Sequence, residues 1–256
     1  MRRSSESVKV RNAAIVERLR ELKAEHPFRG YRWCWAHLRY VDGLDVNKKR
    51  VYRLLKEHRL LATQTKHEVP RVSTRPKPRP NRPNQWWGID MTKVLTECGW
   101  TYVVVVLDWY TKKILGHYCG RTATSSEWLT ALDRALNRQF SDGVRHHELN
   151  LMSDNGCQPT SQKFMKACGV LGVHQAFTSY NNPKGNADTE RVIRTLKEEL
   201  VWLREWQDAH QLAKALDSWI EKYNSTWLHS ALGYRTPNRA EKAYNLSHGT
   251  LLETAC

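Results

Sequence analysis

The sequence predicts an α/β fold: a mixed five-stranded sheet flanked by helices, preceded by a small all-α domain of helix-turn-helix kind. Three observations predict it. Residues 86–206 carry strand-length apolar segments that first follow one another and then alternate with helix-period segments. Residues 1–64 carry helical periodicity alone. Five of the nine prolines fall between Pro70 and Pro83 and separate the two regions. A chain of 256 residues, 40% hydrophobic, is long enough for one medium core and a smaller one.

In the front region, Val8, Ile15, Leu19 and Leu22 stand at near-helical spacing. After the break at His26-Pro27, Tyr31, Cys34, Trp35 and Leu38 share a second helical face. Gly43 interrupts, and Asn47 is placed to cap a third helix. Its apolar positions Val51, Leu54, Leu55 and Leu61 leave Lys48, Lys49, Arg50, Arg53, Lys56 and Arg59 largely outward. Three short helices with a basic third one read as a helix-turn-helix unit, whose third helix would enter a DNA major groove. Residues 65–85 interleave prolines with Arg71, Arg75, Lys77, Arg79 and Arg82. They read as an extended basic linker that either follows phosphates or acts as a tether.

In the second region, WWGIDMTKV alternates so that Trp87, Ile89 and Met91 share one face and Asp90 and Thr92 the other. TYVVVVLD reads as a strand buried on both faces, and KILGHYCG as a third strand after a turn. A helix (SSEWLTALDRALNRQF), a short strand (LNLMS), a helix (SQKFMKACGVLG), a strand (VHQAFTS) and a long amphipathic helix from near Thr189 follow. On that last helix Ile193, Leu196, Leu200 and Leu203 cluster on one face. The expected divisions are 1–64 helix-turn-helix, 65–85 linker, 86–206 the α/β core and 207–256 a helical extension.

Net charge is +15, and it is unevenly spread. Residues 1–65 hold 16 Lys+Arg against 7 Asp+Glu, and residues 66–85 hold 6 against 1. The remainder is close to neutral. A front-loaded excess is what nucleic acid as partner would require, although a solvating basic face gives the same count. The longest apolar run, residues 102–107, is far short of the roughly 20 residues of a membrane span. No early segment has the pattern of a signal peptide. Six cysteines without a C-x-x-C pair indicate neither a disulfide framework nor a zinc finger, and reduced thiols in a cytoplasmic protein are expected.

Three carboxylates stand out. Asp90 is a charged residue inside a strand, a costly position unless it has a partner. Asp154 lies just past the fourth strand, before Asn155-Gly156, and Glu190 lies in the first turn of the long helix. Singly, an Asp before Asn-Gly is a turn former and a Glu in a first turn complements the helix dipole. Together, on elements that the strand order can bring into register, they form a hard-oxygen metal site. Arg194 and Lys197 lie on the same shoulder of the helix as Glu190, where cations suit a phosphate-handling site. The i,i+4 pairing of a solvated face is expected of Arg191 and Glu198 instead.

The chain resembles the DDE transposases of bacterial insertion sequences, specifically the OrfB-type catalytic polypeptide, relatives of retroviral integrases with an RNase H-like core. The pieces that carry the resemblance are GYRWCWAHLR and VNKKRVYRLLKEHRL in front, then WGIDMTKV, VVLDWYTKKILG, SDNGCQPTS, NNPKGNADTERVIRTLKEEL and YNSTWLHSALGYRTP. It implies that Asp90, Asp154 and Glu190 are the catalytic, metal-binding triad, and that Lys197 lies beside the DNA end. Arg194, Lys48, Lys49, Arg50, Arg53, Arg75, Lys77 and Arg79 are the further expected DNA contacts. His229, Tyr234 and Pro237 match the closing segment, whose role is structural or DNA-proximal. Trp227-Leu228 stands where many relatives carry Arg-Pro, and the paired His146-His147 has no cysteine partners of an integrase-type zinc site.

The resemblance implies two Mg²⁺ ions per active site, with Mn²⁺ as a substitute, and a reaction in which water frees a 3′-hydroxyl that then attacks a second phosphodiester. Implied partners are the element's terminal repeats, target DNA, further copies of the chain assembled on DNA, and an upstream reading-frame product as fusion or partner. That last partner is expected because the chain lacks the sustained heptads of a dimerising segment. The expected location is the bacterial cytoplasm, on the nucleoid when DNA-bound. Two rival readings are a non-transposing RNase H-like nuclease, which does not need the basic front, and a catalytically idle, domesticated DNA-binding protein, in which the triad would decay.

Overall fold

The computed structural model of the chain describes residues 6–62, 78–178 and 185–253. It divides into two compact units, Met1–Pro70 and Arg71–Cys256. The first is three helices: α1 (Glu6–Glu25), α2 (Tyr31–Tyr40) and α3 (Lys48–Glu57). The buried row of α1 is Val16, Leu19 and Leu22, which meets Cys34, Trp35 and Leu38 of α2 and Val51, Leu54 and Leu55 of α3. Asn47 caps α3 as its sequence position indicates, its side-chain oxygen accepting the Lys49 N–H at 2.8 Å. Arg18 clasps Asp42 through Nε (3.0 Å) and a terminal nitrogen (3.1 Å), fixing the turn after α2 against α1.

The second unit is built on one sheet of order β3-β2-β1-β4-β5. Strands β1 (Trp86–Thr96), β2 (Gly99–Asp108) and β3 (Ile114–Gly120) form an antiparallel meander. Strands β4 (Asn150–Ser153) and β5 (His174–Phe177) join it in parallel, each after a helix: α4 (Ser125–Gln139) and α5 (Gln162–Leu171). The three later helices are α6 (Ala187–Glu199), α7 (Ala209–Thr226) and α8 (Pro237–Glu253).

Strand alternation divides the interior into two cores. Trp87, Ile89, Val104 and Val106 face α4 and α5, where Trp128, Leu132 and Phe164 meet them. Val94, Val103, Val105 and Leu107 face α6 and α7, where Ile193, Leu196, Leu216 and Ile220 meet them. β2 is buried on both faces because both layers need its side chains, the reason for its unbroken valine run. Asp90 therefore belongs to the α6 side of the sheet.

One expectation changes. α6 ends at Glu199, and residues Val201–Leu203 make a single 3₁₀ turn that leaves Leu203 exposed. The turn brings Trp206 into the core in its place, its indole N–H donating to the Val201 carbonyl at 3.1 Å. The closing segment holds the sheet edge. Asn224 on α7 exchanges two hydrogen bonds with the Ile114 backbone, at 3.0 and 2.9 Å, and the Tyr223 hydroxyl donates to the Lys112 carbonyl at 3.1 Å. Trp227 stacks on Tyr223 at 5.9 Å, so it serves packing.

Candidate active site

The site follows from the register of two strands and the approach of one helix. β1 and β4 are parallel, with Trp86 opposite Asn150 and Gly88 opposite Met152. Continuing that register by two residues brings Asp154, just beyond β4, level with Asp90. The Asp154 carboxylate accepts the Gly156 N–H at 3.0 Å, an Asx-type turn that leaves the residue exposed. The neighbouring Asn155 donates to the Thr178 carbonyl at 2.6 Å, tying this turn to the end of β5.

Glu190 arrives from α6, whose first turn lies almost in contact with β1. Gly88 makes that approach possible. A Cβ there would stand 1.9 Å from the Thr189 hydroxyl, 2.5 Å from Trp109 Nε1 and 2.7 Å from Asn186 Oδ1. The same three side chains hold the junction. Trp109 Nε1 donates to the Thr189 hydroxyl at 3.1 Å, and Asn186 Nδ2 donates to the Ile89 carbonyl at 3.2 Å, next to Asp90. Trp109 is held by stacking on Trp86 at 5.8 Å. This clamp was not drawn from the sequence, although a glycine inside a strand, as in Trp-Gly-Ile-Asp, is the usual signal of a close backbone approach.

The electrostatics reflect the convergence. Burial is the chief cause that pushes the Asp90 carboxyl up, to about 6, against the Met91 N–H that it accepts at 2.8 Å. Asp154 and Glu190 push it further up by like charge, and Lys197 pulls it down. Asp90 thus feels both other carboxylates and, against them, Lys197. Among the described residues, no three His, Cys, Asp or Glu side chains stand close enough to hold a metal ion as they are placed. The donor chemistry nevertheless fits a hard divalent cation: carboxylate oxygens only, one half-buried and two at the exposed rim.

The other candidate residues are distributed as follows. Lys197 is half-buried and within the field of Asp90. Arg194 is exposed and makes the i,i+4 pair with Glu198 at 2.8 Å that its sequence position does not lead one to expect. Glu198 is buried rather than solvated, and a buried carboxylate needs that cation. In the helical unit, Lys49 and Arg53 are exposed on α3, Arg53 beside Glu57 at 3.6 Å, and Lys48 lies over the Trp35 ring at 4.2 Å. Arg50 turns inward instead, donating twice to Asn12 of α1 at 3.0 and 2.7 Å, which makes it a brace between helices. Arg79 is exposed, and Arg75 and Lys77 lie outside the described residues.

His229, Tyr234 and Pro237 build a tight corner. The His229 N–H donates to the Arg235 carbonyl and the Tyr234 N–H to the His229 carbonyl, at 3.1 and 2.8 Å. Gly233 and Tyr234 both take positive φ of 63°. Pro237 opens α8 behind Thr236, whose hydroxyl accepts the Arg239 N–H at 3.3 Å.

Comparison with known proteins agrees with this architecture. The family model described as an HTH-like domain matches residues 10–68, and two described as an integrase core domain match residues 80–183 and 171–237. The transposase for insertion sequence element IS629 of Shigella sonnei is 27% identical over 234 residues, which is 88% of this chain and 77% of that protein. The transposase InsD of an IS2 insertion element of Escherichia coli is 28% identical over 257 residues, 93% of this chain and 83% of that protein. Among solved structures, a chain of a simian T-cell lymphotropic virus intasome, in complex with a PP2A regulatory subunit, superposes with a TM-score of 0.50. It is 18% identical and covers 80% of this chain and 73% of its own, a likeness of fold. With an HTH-like segment followed by integrase-core segments that together span residues 80–237, the chain belongs to the integrase-core family and is similar over most of its length to transposases of bacterial insertion sequences.

Proposed function

We propose that this chain cuts DNA at the ends of an insertion sequence and joins the freed ends to target DNA. The observation that carries the reading is the convergence of Asp154 and Glu190 on the half-buried Asp90, from a strand end and a helix start that the Gly88 junction holds together. Asp90, Asp154 and Glu190 would hold the metal, two Mg²⁺ ions with Mn²⁺ as substitute. Bound there, the metal supplies Lewis-acid stabilisation of the phosphate and of the attacking oxygen.

The chain's own side chains supply position and charge. Lys197 lies close enough to Asp90 to neutralise part of the site, and it offers a point charge to a phosphate at the same place. Arg194 is exposed and reaches a backbone phosphate only while it also keeps its pair with the buried Glu198. Water attacks the phosphodiester at the element's end, the P–O3′ bond breaks and a 3′-hydroxyl is released. That hydroxyl attacks a second phosphodiester and displaces another 3′-oxygen. No Ser, Tyr or Cys need form a covalent link to DNA.

The exposed Lys49 and Arg53 on α3 belong to the helical unit's DNA face in this reading. The chain works as an assembly of copies on DNA in the bacterial cytoplasm, with the upstream reading-frame product contributing recognition of the ends. Among the described residues, no helix is long and apolar enough to cross a membrane.

The test uses purified chain, a labelled duplex carrying the element's own end, and Mg²⁺ or Mn²⁺, scoring 3′-end nicking and strand joining. Wild type is expected to do both and Asp154→Asn neither. If both proteins bind DNA and neither reacts, even with the upstream product added, the enzymatic reading fails and a DNA-binding protein remains.

A further inference from the structure

A second concave surface lies in the unit that carries the sheet, on the other side of the α6 start from the three carboxylates. It is a cavity of about 800 Å³ between the chain at Pro78–Pro80, the turn after β2, the corner before α8 and one face of α8. Its wall is aromatic. Tyr244 and His248 stack at 3.9 Å with their planes 14° apart, and Tyr110 meets Tyr244 edge-on at 5.5 Å. Its rim is cationic. Arg79 is exposed and has no carboxylate within ion-pair distance among the described residues, and neither has the exposed guanidinium of Arg235, which uses Nε to donate to the Leu232 carbonyl at 3.1 Å. Lys112 and Asp188, which also line it, neutralise each other at 2.8 Å.

We infer that this groove holds an unpaired stretch of DNA strand, bases stacked on the Tyr244–His248 platform and phosphates on Arg79 and Arg235. Ring faces and point cations side by side are the two requirements of single-strand binding. A duplex satisfies only the second, because its bases are already stacked on one another. The excess charge of the lining is +2, the sign that phosphates need. Asp188 on the groove wall and Glu190 are separated by about 200° around α6, so the helix start has the carboxylates on one side and the groove on the other. A strand parted from its complement at the site would find in this groove the ring faces that its exposed bases require. The inference rests on the DNA-processing reading above and adds that the end is at least partly unpaired when processed.

The experiment measures binding of the full chain to a fluorescein-labelled 12-nucleotide deoxythymidine strand and to a blunt hairpin duplex, in EDTA and over a range of salt. Tyr244→Ala is expected to weaken single-strand binding by about 5- to 150-fold, the range for loss of one stacking platform, while duplex binding stays within about twofold. Tyr244→Phe keeps the ring and should bind as wild type. Arg79→Ala with Arg235→Ala should flatten the log–log salt slope for the single strand by about 1.4. These two arginines are exposed, so that variant decides the matter if Tyr244→Ala does not fold. Unchanged single-strand binding in the folded variants overturns the inference, as does an equal loss on the duplex. Since EDTA removes any metal-dependent step, the outcome is separate from the cleavage test. Binding that depends on Tyr244 in a chain that never cuts retains the groove and discards the enzyme, and the reverse pattern does the opposite.

Discussion

Gly88→Ala is the most informative single change, because one methyl group tests how the carboxylates are brought together. Its Cβ would lie 1.9 Å from the Thr189 hydroxyl, where ordinary contact begins at 3.4 Å, so β1 and the first turn of α6 must part by about 1.5 Å. Neither side yields easily: Thr189 and Asn186 are buried, and Trp109 is stacked and buried. Overpacking of this kind costs about 1–3 kcal/mol of stability. The displacement falls on the residue before Glu190, and a misplacement of about 1 Å in an active site costs on the order of 100-fold in rate. End nicking per folded molecule should therefore fall at least about 100-fold, while urea denaturation shows a loss of about 1–3 kcal/mol. Gly116→Ala is the control. Its Cβ would stand 2.2 Å from the Ala131 carbonyl, an equally severe clash, but between β3 and α4 on the opposite face of the sheet. It should destabilise comparably and leave the activity of the folded fraction unchanged. Wild-type nicking by Gly88→Ala, or an equal loss of specific activity in Gly116→Ala, would refute the proposed junction.

Three other changes test the scaffold. Thr124 and Glu127 form a reciprocal capping box at the start of α4, so Thr124→Ala should cost about 1–2 kcal/mol at neutral pH in urea titrations. The Thr124 hydroxyl and N–H hold the Glu127 carboxyl below its ordinary value, so that stabilisation is present above the unfolded pKa and is lost as pH falls through the lowered one. The gap between variant and wild type should narrow in acid. Asp108 behaves oppositely. Burial pushes its carboxyl up to about 6, the folded state holds the proton more tightly, and its contribution to stability declines as pH rises from about 4 to about 6. Asp108→Asn should flatten that part of the stability–pH curve, by at most about 3 kcal/mol. Asn224→Ala strips the Ile114 backbone of two buried hydrogen bonds and should cost about 2–4 kcal/mol, read from the denaturation midpoint at unchanged slope.

What the sequence by itself determines here is local. Alternation along β1 places Asp90 and Thr92 opposite Trp87 and Ile89, the valine run identifies β2 as doubly buried, and Asn47 announces the start of α3. Each rests on a periodicity or a cap formed within a few residues of chain, and such patterns are present before anything folds. Asp154 and Glu190 were also visible as candidates, since a turn after a strand and the first turn of a helix are positions that sequence marks.

Tertiary structure decided the rest, because it depends on partners distant in the chain. Arg50 points outward by helical phase, yet Asn12, 38 residues away, draws it inward. Leu203 continues the apolar stripe of α6, yet the helix stops at Glu199 and, after a 3₁₀ turn, Trp206 is the residue that enters the core. Arg194 and Glu198 pair because the second is buried and requires a counter-charge. The closeness of Glu190 to Asp90 depends on the missing side chain at Gly88, about 100 residues before Asn186 and Thr189. Periodicity marks which face of an element is buried. How near two elements lie is decided by the volumes and hydrogen bonds of the residues that meet there, and these become neighbours only when the chain has folded.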